Sequence, residues 1–178
     1  MAVSENNRKF AIGKQRLGIM VETNDRKLPV GIQSFEEIRK GGYLYVDKTD
    51  IIWQLANKGK TYNYLIRPRR FGKSVLVDTL EAYFMGKKEL FEGLKIMQME
   101  AEWVKRPVIR LDMSRAGAEP ETLRSYLDNT FDRLEKEYGI TPKTTAKLAD
   151  RFDAIIVGAY EQTGQQVAIL IDEYDSPL

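Results

Sequence analysis

The hydrophobic positions of this chain follow two different periods, and these separate the predicted strands from the predicted helices. A continuous apolar run, Val167–Ile171, is followed at once by acidic residues and predicts a buried strand of a parallel sheet. Val108–Asp112 predicts a second strand, and Tyr62–Ile66 a third, short one. Apolar residues share one helical face over 123–138 and again over 148–160, which predicts two amphipathic helices. The order of these elements predicts an α/β fold in which helices flank a parallel sheet.

Polar composition and capping residues divide the chain further. Residues 1–27 are mixed in charge with scattered apolar positions, and we expect a loosely ordered N-terminal arm. Residues 28–178 then form a single domain. Within it, Ser34 is predicted to cap a short helix, Tyr43–Val46 to form a short strand and Asp47 to cap the helix that follows.

The clearest chemical signal is a loop that ends in Gly-Lys-Ser. The segment Arg67–Ser74 lies between a predicted strand and a helical run over 75–84, which is the context of a phosphate-binding (Walker A) loop. Gly72 allows backbone N–H groups to approach phosphate oxygens closely. Lys73 is expected to neutralise the β- and γ-phosphates of ATP, and the Ser74 hydroxyl to hold Mg²⁺.

This loop departs from the full pattern at its start, where Arg67 stands in place of the first glycine. The turn is therefore expected to differ, and Pro68 stiffens it. Arg69 and Arg70 either add positive charge around the phosphates or form a solvated basic loop. The residues predicted to bind the nucleotide are Arg67, Pro68, Arg69, Arg70, Phe71, Gly72, Lys73, Ser74 and Val75.

The second chemical signal is the acidic pair that ends the 167–171 strand. Asp172, together with Ser74, is predicted to position Mg²⁺, as the acidic residue of a Walker B strand does. Glu173 is predicted to accept a hydrogen bond from the attacking water and orient it toward the γ-phosphate. Glu173 and Lys73 are therefore the predicted catalytic residues. The simpler alternative makes Glu173 a turn carboxylate.

Composition narrows the chemistry. The 178 residues include no cysteine and no histidine, which excludes thiol catalysis, serine–histidine triads and cysteine- or histidine-based zinc sites. Phosphoryl transfer from ATP with Mg²⁺ fits the carboxylates, lysines, arginines and hydroxyls that remain. The sequence contains no apolar run long enough to span a membrane and no apolar signal core, so we expect a cytoplasmic protein.

Two other functions stay open at this stage. The basic cluster of Arg67, Arg69, Arg70 and Lys73 is also typical of a module that binds nucleic-acid phosphates, although the net charge of +2 gives no support for a dedicated binder. A nucleotide-gated switch with little turnover, controlling an attached effector, is the other alternative.

Three separated blocks of the sequence resemble a bacterial family of AAA-ATPase-like proteins. The blocks are Gly31–Phe35 with Tyr43–Thr49, Leu65–Ser74 with its "RPRRFGKS" loop, and Ile169–Asp175. The resemblance implies a P-loop NTPase-type sheet, of which this chain would hold only the N-terminal part. In that family the ATPase-like domain usually precedes a restriction-endonuclease-like nuclease domain.

The resemblance also implies what lies outside the sequence. One further strand would lie between the phosphate-loop strand and the Walker B strand, and sensor and arginine-finger residues would follow. We therefore expect an incomplete sheet with exposed strand edges, a homo-oligomer or a missing C-terminal effector as partner, and slow hydrolysis or none by the fragment alone. Related ATPases contact adenine near Tyr45–Thr49. The alternative is that Tyr45 packs in the core and Asp47 caps a helix. We favour capping for Asp47, and leave Val46 and Lys48 open.

Overall fold

A computed structural model describes residues 26–59, 62–66, 68, 71–117, 119–141 and 147–175. Most of the predicted N-terminal arm lies outside these ranges, as do Arg67, Arg69 and Arg70 of the predicted phosphate loop. The helices are α1 Phe35–Lys40, α2 Thr49–Asn57, α3 Lys73–Phe84, α4 Pro120–Glu137 and α5 Leu148–Thr163. The strands are β1 Val108–Asp112 and β2 Ala168–Asp172, and short 3-10 helices cover Lys88–Phe91, Lys95–Gln98 and Met113–Arg115.

The two strands form a parallel pair, in register from Val108 opposite Ala168 to Asp112 opposite Asp172. This confirms the predicted α/β class and the two strands nearest the C-terminus. Because the pair is parallel, Asp112 and Asp172 lie side by side at the carboxyl-end edge of the sheet. The connection between the strands carries α4 and α5.

Two predicted strands are absent from the described structure. Tyr43–Val46 and Tyr62–Ile66 adopt no strand hydrogen-bonding pattern, so the prediction of strands there was wrong. A strand needs a neighbour to satisfy its backbone groups, and neither segment has one in the described ranges. Tyr62 and Ile66 are 91% and 81% exposed.

The helix boundaries follow capping chemistry. Ser34 Oγ accepts a hydrogen bond from the Glu37 backbone N–H, which confirms Ser34 as the cap of α1. The residue at the N-cap of α2 is Lys48, so the prediction of Asp47 as the cap was off by one position. Asp47 lies just before it, and its Oδ1 accepts bonds from the backbone N–H and the hydroxyl of Thr49, the first helical residue. At the other end of the chain, α5 stops at Gly164, whose left-handed backbone ends the helix.

The buried apolar residues form two separate clusters. The loop-side core joins α1, α2 and α3 to the 3-10 helices at Lys88–Phe91 and Lys95–Gln98. Its buried residues are Phe35, Ile52, Leu76, Ala82, Leu90, Phe91, Leu94 and Ile96. The sheet-side core joins β1 to α4 and α5 through Ile109, Leu111, Phe131, Leu134 and Ile155. The phosphate-loop helix therefore belongs to one core, and the strand pair to the other.

Strand β2 is less buried than its apolar sequence predicts. Ile169 and Ile171 are 41% and 50% exposed, whereas their register partners Ile109 and Leu111 are buried. Helices α4 and α5 thus cover β1 more completely than β2. Among the described residues, β2 pairs only with β1, which leaves its other edge without a strand partner. None of the helices in the described ranges combines the length and apolar character needed to cross a lipid bilayer.

Arg151 ties α5 to α4 through several carboxylates. Its guanidinium donates to Glu135 at 2.8 Å, Asp132 at 2.6 Å and Asp128 at 2.8 Å. The Glu135 side chain is 4% exposed and that of Arg151 12%. The hydrogen bond with Glu135 is the main reason that the pKa of Arg151 is raised. The cluster is therefore a buried ion pair with an exposed rim.

Replacing Arg151 with methionine is expected to lower the free energy of unfolding by about 3 kcal/mol, because Glu135 would remain buried without its partner. Urea unfolding followed by circular dichroism measures the change. Arg124→Met is the control, since Arg124 is 73% exposed and 3.8 Å from Asp128, so its loss should cost less than about 0.5 kcal/mol. Equal losses in the two variants would contradict the structural role of Arg151.

Candidate functional site

The predicted phosphate loop leads directly into helix α3. Gly72 precedes the helix with a φ of 72°, in the left-handed region that a side chain disfavours. The helix begins at Lys73, two residues before the predicted start, so Lys73 and Ser74 lie in its first turn. The free backbone N–H groups of a first helical turn attract anions, which suits a phosphate group at this position.

The described part of the loop is open to solvent. Phe71 is 66% exposed, and its backbone N–H donates to the Pro68 carbonyl at 3.3 Å. An ideal Cβ built on Gly72 would meet no atom within 4 Å. The glycine is thus required by its backbone conformation and not by crowding.

The acidic pair ends β2 with an unusual backbone. Asp172 is 6% exposed and its Oδ1 accepts the Glu173 backbone N–H at 3.0 Å. Glu173 has a φ of 50°, the only positive φ at a non-glycine residue in the described ranges. Such strain costs roughly 1–3 kcal/mol and persists where the surrounding structure imposes it, often at functional sites. The backbone at Glu173 therefore leaves the extended conformation of β2.

Lys73 and Glu173, the two predicted catalytic residues, meet in space. Lys73 Nζ lies 3.4 Å from Glu173 Oε1 and 3.5 Å from Oε2. The side chains are 19% and 35% exposed, so the pair is partly screened by water. The first turn of α3 and the carboxyl end of β2 therefore face one another.

The two predicted metal ligands are not joined to each other. Within the described part of the chain, no hydrogen bond links the Ser74 hydroxyl to Asp172, and no group of three acidic, histidine or cysteine side chains is arranged to hold a metal ion. Both candidates offer oxygen atoms, which Mg²⁺ prefers, and Mg²⁺ commonly takes its remaining ligands from phosphates and water. The chemistry of the two residues fits Mg²⁺ bound together with a nucleotide.

A pair of tyrosines forms a second contact between the loop and the acidic turn. The rings of Tyr64, before the loop, and Tyr174, after Glu173, have centroids 5.0 Å apart. A hydrogen bond with Tyr64 raises the pKa of Tyr174. The sequence did not reveal this pair, because two exposed tyrosines more than a hundred positions apart carry no signal of contact.

An ion cluster links α3 to the sheet behind the site. Arg110, in the middle of β1, donates to Asp78 Oδ1 at 2.8 Å and also bonds Glu81. Asp78 Oδ2 accepts the Phe35 backbone N–H at 2.6 Å. The sequence signal for this cluster is Arg110 itself, a charged residue between the apolar Ile109 and Leu111 of the strand.

The region expected to hold adenine is only partly available. Tyr45 packs on Phe35 with ring centroids 5.1 Å apart, so of the two alternatives for this residue the structure favours packing against the core. Asp47 is committed to Thr49 and to the Lys95 backbone N–H at 2.8 Å. Val46 is 69% exposed and Lys48 is also exposed, so both remain candidates for contacting a base.

An apolar cavity of about 380 Å³ lies on the other side of the sheet, between α4, α5 and the strand ends. Its lining includes Leu111, Phe131, Phe152, Ile171 and Tyr174. A lining with no charged group offers nothing to hold phosphate, so this cavity is not the nucleotide site.

Comparison with known proteins gives a consistent result. The family described as "Predicted AAA-ATPase" matches residues 29–178. A relative from Azotobacter chroococcum mcd 1, described as an uncharacterized protein in the vnfD 5'region, is 38% identical over 156 residues. That match covers 86% of this chain and 30% of the relative, so the chain spans less than a third of the relative's length.

No solved structure matches the chain. The family match covers most of the sequence, from the start of the described domain through the phosphate loop to the acidic pair. The chain therefore belongs to the family of predicted AAA-ATPases.

Proposed function

We propose that this chain binds ATP with Mg²⁺ and hydrolyses it at the junction of α3 and β2. The observation that supports this most directly is the approach of Lys73 Nζ to within 3.4 Å of Glu173 Oε1. It brings a cation at a helix N-terminus against the carboxylates at a strand end. This is the arrangement that phosphoryl transfer requires, because the reaction depends on positioned charge more than on covalent chemistry. Membership of an ATPase-like family adds independent support.

The nucleotide phosphates would lie at the start of α3. Backbone N–H groups around Phe71, Gly72 and Val75 would donate to their oxygens, and Lys73 would neutralise the β- and γ-phosphates. The Pro68 carbonyl bonds the Phe71 N–H just before Gly72, and we include Pro68 among the residues that bind the nucleotide. We extend the same binding role to the three loop arginines, Arg67, Arg69 and Arg70, on the basis of their sequence positions alone.

The carboxylates would divide the remaining work. Ser74 and Asp172 would hold Mg²⁺, which when bound neutralises charge that develops on the phosphates. Glu173 would accept a hydrogen bond from the attacking water and orient this water in line with the γ-phosphate. Its left-handed backbone and its greater exposure, compared with the buried Asp172, fit two different roles for the two neighbouring acids.

Isothermal titration of the native chain with ATP in Mg²⁺, and again in EDTA, tests this function. We expect saturable binding that is weaker in EDTA. The absence of heat and of any displacement of a fluorescent ATP analogue would refute the proposal. Binding to single-stranded DNA or RNA that ATP does not displace would instead favour the nucleic-acid alternative.

Asp172→Asn is expected to remove the benefit of Mg²⁺. The amide keeps the shape of the buried side chain but loses the charge that attracts the cation, so ATP affinity in Mg²⁺ should fall by about tenfold, toward the value in EDTA. Titrations of the variant with and without EDTA give the two affinities. Asp153→Asn, on the exposed face of α5, is the matched control. A variant that retained the full difference would exclude Asp172 as a metal ligand.

A nucleotide-gated module with little turnover is the second candidate. The Lys73–Glu173 and Tyr64–Tyr174 contacts favour it, because a nucleotide that engages Lys73 would have to break the first and would shift the turn that carries the second. The greater length of the relative leaves room for an effector outside this chain, and the family resemblance suggests a nuclease-like one. Tight ATP binding without hydrolysis in a single-turnover assay would favour this candidate.

A further inference from the structure

The two cores of the domain meet at a polar contact between α3 and β1, formed by Asp78, Glu81 and Arg110, which we call the seam. Leu76 and Ala82 direct the apolar side of α3 into the loop-side core, away from the strands. Where α3 approaches β1 it presents Asp78 and Glu81, and the strand presents Arg110. Ion pairs thus join α3 to β1, and α3 also contacts the neighbouring strand β2. The proposed nucleotide site lies at one end of this seam.

Arg110 is the central group of the seam. One guanidinium nitrogen, Nη1, bonds both Asp78 Oδ1 and Glu81, which lie about one turn apart on α3. All three side chains are between 22% and 29% exposed, so they are shielded more than a surface pair. The remaining oxygen of Asp78 accepts the Phe35 N–H at 2.6 Å, which connects the same cluster to the start of α1.

The Arg110 cluster is close to the proposed nucleotide site along both α3 and β1. Lys73 precedes Asp78 by five residues of helix, about 7.5 Å along the axis. Asp112 and its register partner Asp172 lie two strand positions beyond Arg110, about 6.6 Å away along β1. Over such short lengths a rotation of α3 by roughly 8° about the Arg110 cluster would displace Lys73 by about 1 Å.

We propose that Arg110 is a positioning residue, which fixes α3 against the sheet and so holds Lys73 and Ser74 opposite Asp172 and Glu173. The inference rests on the proposed ATPase function. Arg110 acts through α3 and touches neither nucleotide nor metal. Without its bonds, α3 stays in the loop-side core and in contact with β2, but loses the ion pairs that fix its orientation on β1.

The two halves of the site predict a specific kinetic signature. The groups that would bind phosphate all belong to α3 and its loop, so they move together when the seam loosens. The groups that orient water and metal belong to β2. Loosening the seam should therefore lower kcat more than nucleotide affinity, since a misplacement of about 1 Å can cost roughly 10²-fold in rate.

The first test compares two conservative variants, Arg110→Lys and Arg151→Lys. Each keeps a positive charge. The lysine ammonium at position 110 ends short of the guanidinium Nη1 that bonds both Asp78 and Glu81, and the one at position 151 cannot replace three separate donor nitrogens. Both should lower the melting temperature. Only Arg110→Lys should lower single-turnover kcat, by about 30–100-fold, while its Kd for ATP in Mg²⁺ changes less than about threefold. Equal kcat in native protein and Arg110→Lys would overturn the inference.

The second test needs no nucleotide. The chain has no cysteine, so Tyr64→Cys with Tyr174→Cys creates one thiol pair across the seam. A short bismaleimide should cross-link this pair several-fold more slowly when Arg110→Lys is added. Adding Arg151→Lys should leave the rate unchanged, because Arg151 lies within the sheet-side half. Equal cross-linking rates with and without Arg110→Lys would contradict a positioning role.

The two tests separate the inference from the proposed function. Suppose that Arg110→Lys slows cross-linking but the native protein binds no ATP. That result would refute the ATPase function, and with it the role of Arg110 in hydrolysis, while the structural role of Arg110 in the seam would stand. Native ATP binding and turnover, unchanged in Arg110→Lys, would refute the role of Arg110 alone. A loss of kcat and affinity in proportion to the unfolded fraction would show that Arg110 serves stability only.

Discussion

Glu173→Gln is expected to lower the single-turnover rate of ATP hydrolysis by about 10²–10⁴-fold, the usual contribution of a positioned general base. The amide keeps the size of the carboxylate but is a much weaker acceptor for the proton of the attacking water. The strained φ of 50° is a backbone feature, so the substituted side chain should still leave the strand in the same direction.

The same substitution should tighten ATP binding by about two- to fivefold. Glu173 Oε1 lies 3.4 Å from Lys73 Nζ, so the carboxylate would compete with phosphate for that cation. Ion pairs as exposed as this one contribute up to about 1 kcal/mol, which limits the gain in affinity to the stated range. An increase in affinity together with a loss of turnover is a combination that a simple turn carboxylate would not give.

Single-turnover assays with radiolabelled ATP would measure the rate of hydrolysis, by quenched flow for fast variants and by manual sampling over hours for slow ones. Calorimetry would measure the affinity for ATP. Glu161→Gln, at an exposed position of α5, is the control for loss of one negative charge. Equal rates in native protein and Glu173→Gln would remove Glu173 from the mechanism. Weaker ATP binding would show that Lys73 is not released by the change.

The helices could be predicted from sequence because their signals are local. The apolar stripes that place Phe131, Leu134 and Ile155 in the core repeat within each helix, and Ser34 caps α1 through Glu37, three positions away. Strand formation depends on a partner elsewhere in the chain. Tyr43–Val46 and Tyr62–Ile66 have β-prone composition but no neighbouring strand in the described ranges, and they remain irregular.

The same difference separates the predicted from the unpredicted parts of the site. Gly72 and Lys73 are recognised by their adjacency, and Asp172 and Glu173 by their place after an apolar run. The Arg110 cluster depends on how α3 is oriented over β1, which no short stretch of sequence specifies. Burial also depends on neighbours, so the apolar residues of β2 could be identified as a strand but not as its half-exposed edge.

Lys73→Ala is expected to weaken binding of ATP in Mg²⁺ by about 10–100-fold, the range for loss of a charge-assisted hydrogen bond to a phosphate. The fold should change little. Lys73 contributes one partly exposed ion pair and no buried apolar surface to either core, so the melting temperature should stay within a few degrees of native.

Calorimetric titration and thermal unfolding of Lys73→Ala measure these two quantities separately. Lys136→Ala, an exposed lysine of α4, controls for the change in net charge. A third variant, Lys73→Ala with Glu173→Gln, separates phosphate binding from the ion pair. If Glu173 weakens ATP binding only by occupying Lys73, the second substitution should give no two- to fivefold gain in the absence of Lys73, apart from the small effect of removing a negative charge nearby. ATP affinity within twofold of native in Lys73→Ala would exclude this lysine from the phosphate site, because a cation at the first turn of α3 that contacts the β- and γ-phosphates cannot be removed without that loss.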